Sequence, residues 1–134
     1  QTPVSPHGHG ELILVVDDED LITAMARETL ESHGYRVMTA SNGAEAVDAC
    51  VSHSSTVAVI LMDMMMPVMD GPTAIRALRS TGIQTPVIAS SGLRNSAQTS
   101  AVGAAAFLPK PYSEQQLLQT LYETLLSADL QQSQ

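Results

Sequence analysis

VILMDMMMPVMDG, residues 59–71, closes an apolar run on an aspartate and follows it with three methionines, a proline and an Asp-Gly turn. A short apolar run bounded by turn formers reads as a strand buried on both faces, the kind found at the centre of a parallel sheet. Its last residue, Asp63, is a charge where the pattern calls for a hydrophobe. Ionised carboxylates enter such places only when paired or when they hold a cation.

The segments on either side repeat the unit. LILVV (12–16), RVMTA (36–40), VAVILM (57–62), PVIAS (86–90) and AAFL (105–108) are strand-like runs. Helical periodicity fills the gaps between them. From Asp20 to His33, Ile22, Met25, Ala26, Thr29 and Leu30 share one face, and Gly34 follows as a stop. Asn42 caps a helix carrying Ala46, Val47, Ala49 and Cys50 that fades near His53. Pro72 opens a helix through Ser80 with Ile75, Ala77 and Leu78 inward. A short helix is expected near residues 95–102. A last one runs from Ser113 to about Ser127, with Ser113 and Gln116 as a capping pair. Strict alternation of five strands and five helices predicts an α/β fold, three-layer and doubly wound, with right-handed crossovers onto a parallel sheet.

At 134 residues the chain fits one domain. Residues 1–10, rich in Pro, Gly, Ser and His, read as a flexible arm, residues 11–127 as the folded module, and 128–134 as a polar tail. A first residue of Gln suggests a domain cut from a longer protein. Six Lys and Arg against 14 Asp and Glu give a net charge of −8, which argues against nucleic acid and anionic membranes and favours cations or a basic partner. A single cysteine, Cys50, excludes an internal disulfide and reads as a small buried hydrophobe. No apolar stretch reaches the ~18 residues of a membrane span, so a cytoplasmic location is expected.

In doubly wound sheets ligands bind beyond the carboxyl ends of the strands. Those positions hold Asp17 and Asp18 after strand one, Asp63 after strand three, Ser90 and Ser91 at the end of strand four, and Pro109-Lys110-Pro111 after strand five. If strands one and three are neighbours, three carboxylates converge, and their repulsion calls for a hard divalent cation such as Mg²⁺. Lys110 is the only lysine in the chain and stands at the same edge. An aspartate attacks an activated phosphoryl group given alignment, a metal and a cation. Ser91, followed by Gly92, offers a small hydroxyl to the product. Taken singly, each residue has an ordinary reading: a helix cap for the aspartates, a loop serine, a snorkelling lysine, flexible packing for the methionines. Their coincidence on one edge favours the chemical reading.

VVDDE, DMMMPVMDG, PVIASSG and FLPKPY, in this order and approximate spacing, resemble the sequence blocks of the receiver domain of two-component response regulators, over about residues 11–127. The resemblance implies a flavodoxin-like (βα)5 fold with sheet order 2-1-3-4-5. It implies Asp63 as the phosphorylated residue. Asp18 would be a direct Mg²⁺ ligand, Asp17 would act largely through water, and the Met65 backbone carbonyl would complete the set. Ser91 would be the switch hydroxyl, Phe107 the switch aromatic or plain core, and Lys110 the cation, with a cis Lys110–Pro111 peptide. The segment between Ser91 and Gly103 is about one turn shorter than is usual for the family.

The partner implied is a histidine kinase or histidine phosphotransfer domain, docked near Leu21 on the first helix. The output would pass through segment 95–102, strand five and the last helix. The parent would be a hybrid sensor kinase or a single-domain regulator, and the module a monomer or weak dimer. Apolar residues at Met65 and Leu93 predict slow loss of the phosphoryl group, with no turnover of an external substrate. Two other classes compete. A phosphatase of the haloacid-dehalogenase type wants a second aspartate where Met65 stands. A flavodoxin-like binding module wants a Gly-rich loop where Asp17-Asp18 stand.

Overall fold

The computed structural model describes residues 8–53, 56–66, 69–92 and 104–132. Five strands, β1 (Leu12–Val16), β2 (Arg36–Ala40), β3 (Val57–Asp63), β4 (Val87–Ser91) and β5 (Ala106–Pro109), form one parallel sheet in the order β2-β1-β3-β4-β5. The order reverses between β1 and β3, so the crevice expected from the topology opens above these two strands. β3 is the middle strand, and every residue in it but Ala58 is buried.

Four helices are described: α1 (Asp20–Ser32), α2 (Gly43–Ser52), α3 (Gly71–Ser80) and α4 (Glu114–Gln132). The period-2 pleat sorts the core into two layers. Leu12, Leu14, Val16, Ile60 and Met62 pack with Ala46, Cys50, Ala74, Ile75 and Leu78 beneath α2 and α3. Ile13, Val15, Val59, Leu61, Ile88 and Leu108 pack with Ala26, Leu30, Leu117, Leu118 and Leu121 beneath α1 and α4. Among the described residues no helix is long and apolar enough to cross a membrane.

Several details depart from the periodicity. Met25, expected on the inward face of α1, is 62% exposed. It sits at the rim of a cavity of about 590 Å³ between α1 and the start of α4, so the buried stripe of α1 narrows to Ala26 and Leu30. α4 continues to Gln132, past the end expected near Ser127, because the residues that follow include good helix formers, Ala, Leu and Gln. In the arm, Gly8 N–H donates to the His33 carbonyl and Gly10 N–H to the Gly34 carbonyl. A Cβ on Gly8 would collide with the Tyr35 ring, so this stretch lies flat on the protein. The expected helix at 95–102 lies outside the described residues.

Two of the caps are those expected from the sequence, and Asp70 adds a third. Asn42 accepts from Glu45 N–H, and Ser113 and Gln116 bond reciprocally at the start of α4. Asp70 caps α3 by accepting from Thr73 N–H at 3.0 Å, and the bonds from Thr73 hold its carboxyl below the usual carboxylate range. Asp70→Ala should therefore cost about 1 kcal/mol, read as a lower urea midpoint at unchanged slope. Because this pKa is depressed in the fold, the advantage of Asp70 exists above the ordinary carboxylate pKa and vanishes as the pH falls through the depressed one. Equal stability of the two proteins at neutral pH would contradict the cap.

Candidate functional site

Pleat parity decides which strand-end side chains meet. Val15, Leu61, Ile88 and Leu108 face α1 and α4, so the residues two further on, Asp17, Asp63, Ser90 and Lys110, face the same way at the carboxyl edge. The Lys110 ammonium lies 2.7 Å from Asp17 Oδ2, 3.4 Å from Asp63 Oδ2 and 3.8 Å from Glu19 Oε1. Asp17, Asp18 and Asp63 each bring a carboxylate oxygen to within 4.8 Å of the others'. The sequence named Asp17, Asp18, Asp63 and Lys110, and the structure brings these four together, with Glu19 beside them.

Local backbone holds each one. Asp17 Oδ1 accepts from Glu19 N–H at 2.9 Å and Oδ2 from the Lys110 ammonium, so this buried carboxylate is fixed on both oxygens, and Asp17 N–H donates to the Ala40 carbonyl. The N-cap of α1 is Glu19, with no capping bond from its side chain, so neither Asp17 nor Asp18 stands at the cap position. Asp18 is exposed and turned toward solvent. Asp63 Oδ1 accepts from Met65 N–H at 3.1 Å. Lys110 N–H donates to the Ser91 carbonyl, and the Lys110–Pro111 peptide is cis.

Gly71 closes the loop after Asp63. A Cβ there would meet the Met64 methyl and Cα and come within 2.9 Å of the Asp63 carbonyl. The Asp-Gly pair of the opening motif therefore combines a cap at Asp70 with a close approach at Gly71 that only glycine permits.

Burial pushes the Asp63 carboxyl above its usual range, the Met65 N–H opposes this, the Asp17 charge adds to it, and Lys110 opposes it; the balance is upward. Burial works against the Lys110 charge, yet the hydrogen bond to Asp17 and the charges of Asp63 and Asp17 outweigh it and raise the ammonium pKa. Tyr112, which sequence reasoning passed over, also touches this field: burial and then the Asp17 charge raise its hydroxyl pKa. Its neighbours in the sequence gave no sign of it, since it reads as an ordinary aromatic after a turn.

The remaining positions are less central. Ser91 closes β4 opposite Pro109, one residue beyond Ser90, the register partner of Asp63. Met65 is 60% exposed, Leu21 72% exposed, and Phe107 partly buried in β5. Leu93 lies outside the described residues. The donor set is hard carboxylate oxygen beside a fixed ammonium, which fits a hard divalent cation and an oxyanion and offers no soft or nitrogen ligand for a transition metal.

The family model for the response regulator receiver domain matches residues 13–122. The chain is 38% identical over 120 residues to the sensor kinase CckA of Brucella abortus, covering 87% of this chain and 13% of that protein. It is 38% identical over 109 residues to the response regulator MprA of a Mycobacterium species, covering 79% of this chain and 46% of that one. Among solved structures, the chemotaxis protein CheY4 of Vibrio cholerae superposes with a TM-score of 0.80 at 33% identity, over 87% of this chain and 99% of that one. The receiver domain of the Francisella response regulator 1452 superposes with a TM-score of 0.82 at 28% identity, over 89% and 99%. With this family match over most of its length and a sheet order to agree, the chain belongs to the response regulator receiver domains, signalling modules of the two-component type.

Proposed function

We propose that Asp63 is the phosphoacceptor and that Lys110, Asp17, Asp18 and Ser91 complete the reacting site of a module spanning residues 11–127. The observation that carries this reading is a buried carboxylate at the end of the central strand, with an ammonium 3.4 Å away and two further carboxylates beside it. A phosphohistidine of a histidine kinase or histidine phosphotransfer domain is the donor. Its P–N bond breaks as a P–O bond forms to an Asp63 oxygen, and the imidazole leaves. The attacking carboxylate is already ionised, so no base is needed, and positioning with charge stabilisation supplies the catalysis.

Asp18, Asp63 and the Met65 backbone carbonyl would hold Mg²⁺, with Asp17 behind them; when bound it would offset the clustered negative charge and steady the phosphoryl oxygens. Lys110 serves both states, paired with Asp17 before transfer and available to a phosphoryl oxygen after it. Ser91 stands where the strand ends at Gly92 and supplies a hydroxyl to the product. The donor docks over Leu21 and the exposed Met25 of α1, and the cytoplasm is where such a donor is made. Neither sequence nor charge provides a nucleic-acid surface, with a net charge of −8.

Incubation with Mg²⁺ and acetyl phosphate, followed by intact mass, tests the assignment. Wild type should gain one phosphoryl group and Asp63→Asn none; a gain on the variant would move the acceptor elsewhere. Met65 has no polar group to orient an attacking water at Asp63, so the phosphoryl group should persist well beyond seconds once the donor is removed. Loss within seconds, without a phosphatase, would refute that expectation.

A further inference from the structure

Glu19 stands at the N-cap of α1, a position that favours Ser, Thr, Asp or Asn because their side chains reach the free N–H groups of the first turn, and its own side chain makes no such bond. The carboxylate is directed elsewhere: Oε1 lies 3.8 Å from the Lys110 ammonium. The backbone beneath it is fixed. Glu19 N–H donates to Asp17 Oδ1 at 2.9 Å, and the Glu19 carbonyl accepts from Ile22 N–H at 3.0 Å and Thr23 N–H at 3.2 Å. Among the described residues, the carboxylates paired with this ammonium are two buried ones, Asp17 and Asp63, and that of Glu19, whose side chain is 64% exposed. Glu19 is also outside the trio of aspartates that could hold a cation, so a metal bound there leaves its charge in place.

In an in-line transfer the leaving group departs from the face of phosphorus opposite the attacking oxygen. Asp63 is buried, so that face points to solvent, the side on which Glu19 stands. What departs there differs in charge between donors. A P–N donor, phosphohistidine included, carries a proton on its amine or imidazole. The P–N bond breaks as the P–O bond to Asp63 forms, the nitrogen keeps the bonding pair and the proton, and a neutral amine or imidazole leaves. An acyl phosphate instead loses its P–O bond with the electron pair and releases a carboxylate anion. We infer that Glu19 is a specificity-determining residue that favours P–N donors over acyl phosphates, its carboxylate attracting the protonated nitrogen group and repelling the departing carboxylate.

This rests on Asp63 being the acceptor, and the test separates the two. Second-order rate constants for phosphorylation by phosphoramidate and by acetyl phosphate, read by intact mass at saturating Mg²⁺, are compared in wild type, Glu19→Gln and Glu19→Lys, with Asp63→Asn as the control. Glu19→Gln should react about two- to fivefold faster with acetyl phosphate and slower with phosphoramidate by a similar factor, the size of one solvent-exposed charge contact. Glu19→Lys should carry the ratio of the two constants further the same way. Salt at about 1 M, where the screening length falls to about 3 Å, should bring the ratios of the three proteins together. A structural role alone would move both constants in one direction. Equal changes for the two donors, no change, or a shift in the ratio that survives high salt would overturn the role of Glu19 and leave the acceptor in place. Transfer from either donor that persists in Asp63→Asn would instead remove the acceptor assignment.

Discussion

Lys110→Ala should destabilise the metal-free domain by about 3 kcal/mol near neutral pH, the lower end of what removing one member of a buried ion pair costs. The lysine side chain is 15% exposed, while those of Asp17 and Asp63 are 4% and 6% exposed, so the variant leaves two buried carboxylates facing each other with no counter-charge among the described residues. Asp63 already titrates above its usual range, and losing the opposing pull of Lys110 moves it further up. A carboxyl whose folded pKa is raised stabilises the fold below its unfolded pKa, and that contribution disappears as the pH rises through the folded value. The deficit of Lys110→Ala should therefore be small near pH 4 and widen toward neutrality, a trend that a lost packing contact alone would not produce. Excess Mg²⁺ should narrow the deficit, since the three aspartates of the variant hold the ion without competition from the lysine; the variant gains about 2.7 kcal/mol at a hundred times its dissociation constant and wild type gains less at the same concentration. Urea titrations at several pH values, with and without Mg²⁺, measure all of this. A deficit independent of both pH and Mg²⁺ would mean that the lysine does no electrostatic work here.

The fold was legible because each local signal agreed with the global one. Buried strands of five or six apolar residues, an Asn and an Asp at N-caps, and glycine after α1 at a φ of 91° all specify the same alternation. The misreadings came where tertiary context outweighs local pattern. Periodicity places Met25 inward, but only packing can say that a cavity, and not a neighbour, lies under it. Polarity marked residues 128–132 as tail, whereas helix propensity carries α4 through them.

The site was legible for a different reason. A parallel sheet in the order that the family resemblance implies turns sequence positions into places, so Asp17, Asp18, Asp63 and Lys110 could be gathered at one edge without coordinates. Sequence could not give the partition of hydrogen bonds among them. Nothing in VVDDED says that Asp17 takes the short contact to Lys110 while Asp18 stays exposed. Glu19, 3.8 Å from Lys110, was likewise hidden in a run of acids.

Asp63→Asn should abolish phosphoryl acceptance altogether and at the same time make the metal-free domain more stable by a few degrees. The first half follows from chemistry: the carboxamide presents no anionic oxygen and cannot form an acyl phosphate. The second follows from the electrostatic balance. Burial and Asp17 together outweigh the Met65 N–H and Lys110, so the fold disfavours the charged form of Asp63 relative to a free carboxyl, and a neutral isostere removes that cost. The Met65 N–H keeps its acceptor, since an amide oxygen can take the place of Oδ1, and Lys110 keeps the closer 2.7 Å contact with Asp17. By the same linkage the advantage of the variant should be absent at acid pH, where wild-type Asp63 is protonated anyway, and should emerge as the pH rises past its folded pKa. Mg²⁺ should narrow the gap by stabilising wild type more than the variant, which has lost one of three carboxylates. Scanning calorimetry at two pH values, with and without Mg²⁺, reads each of these changes. A variant less stable than wild type at neutral pH without metal would show that Asp63 is held by its partners and not strained by its burial, and the site would then carry no electrostatic tension for a cation or a phosphoryl group to relieve.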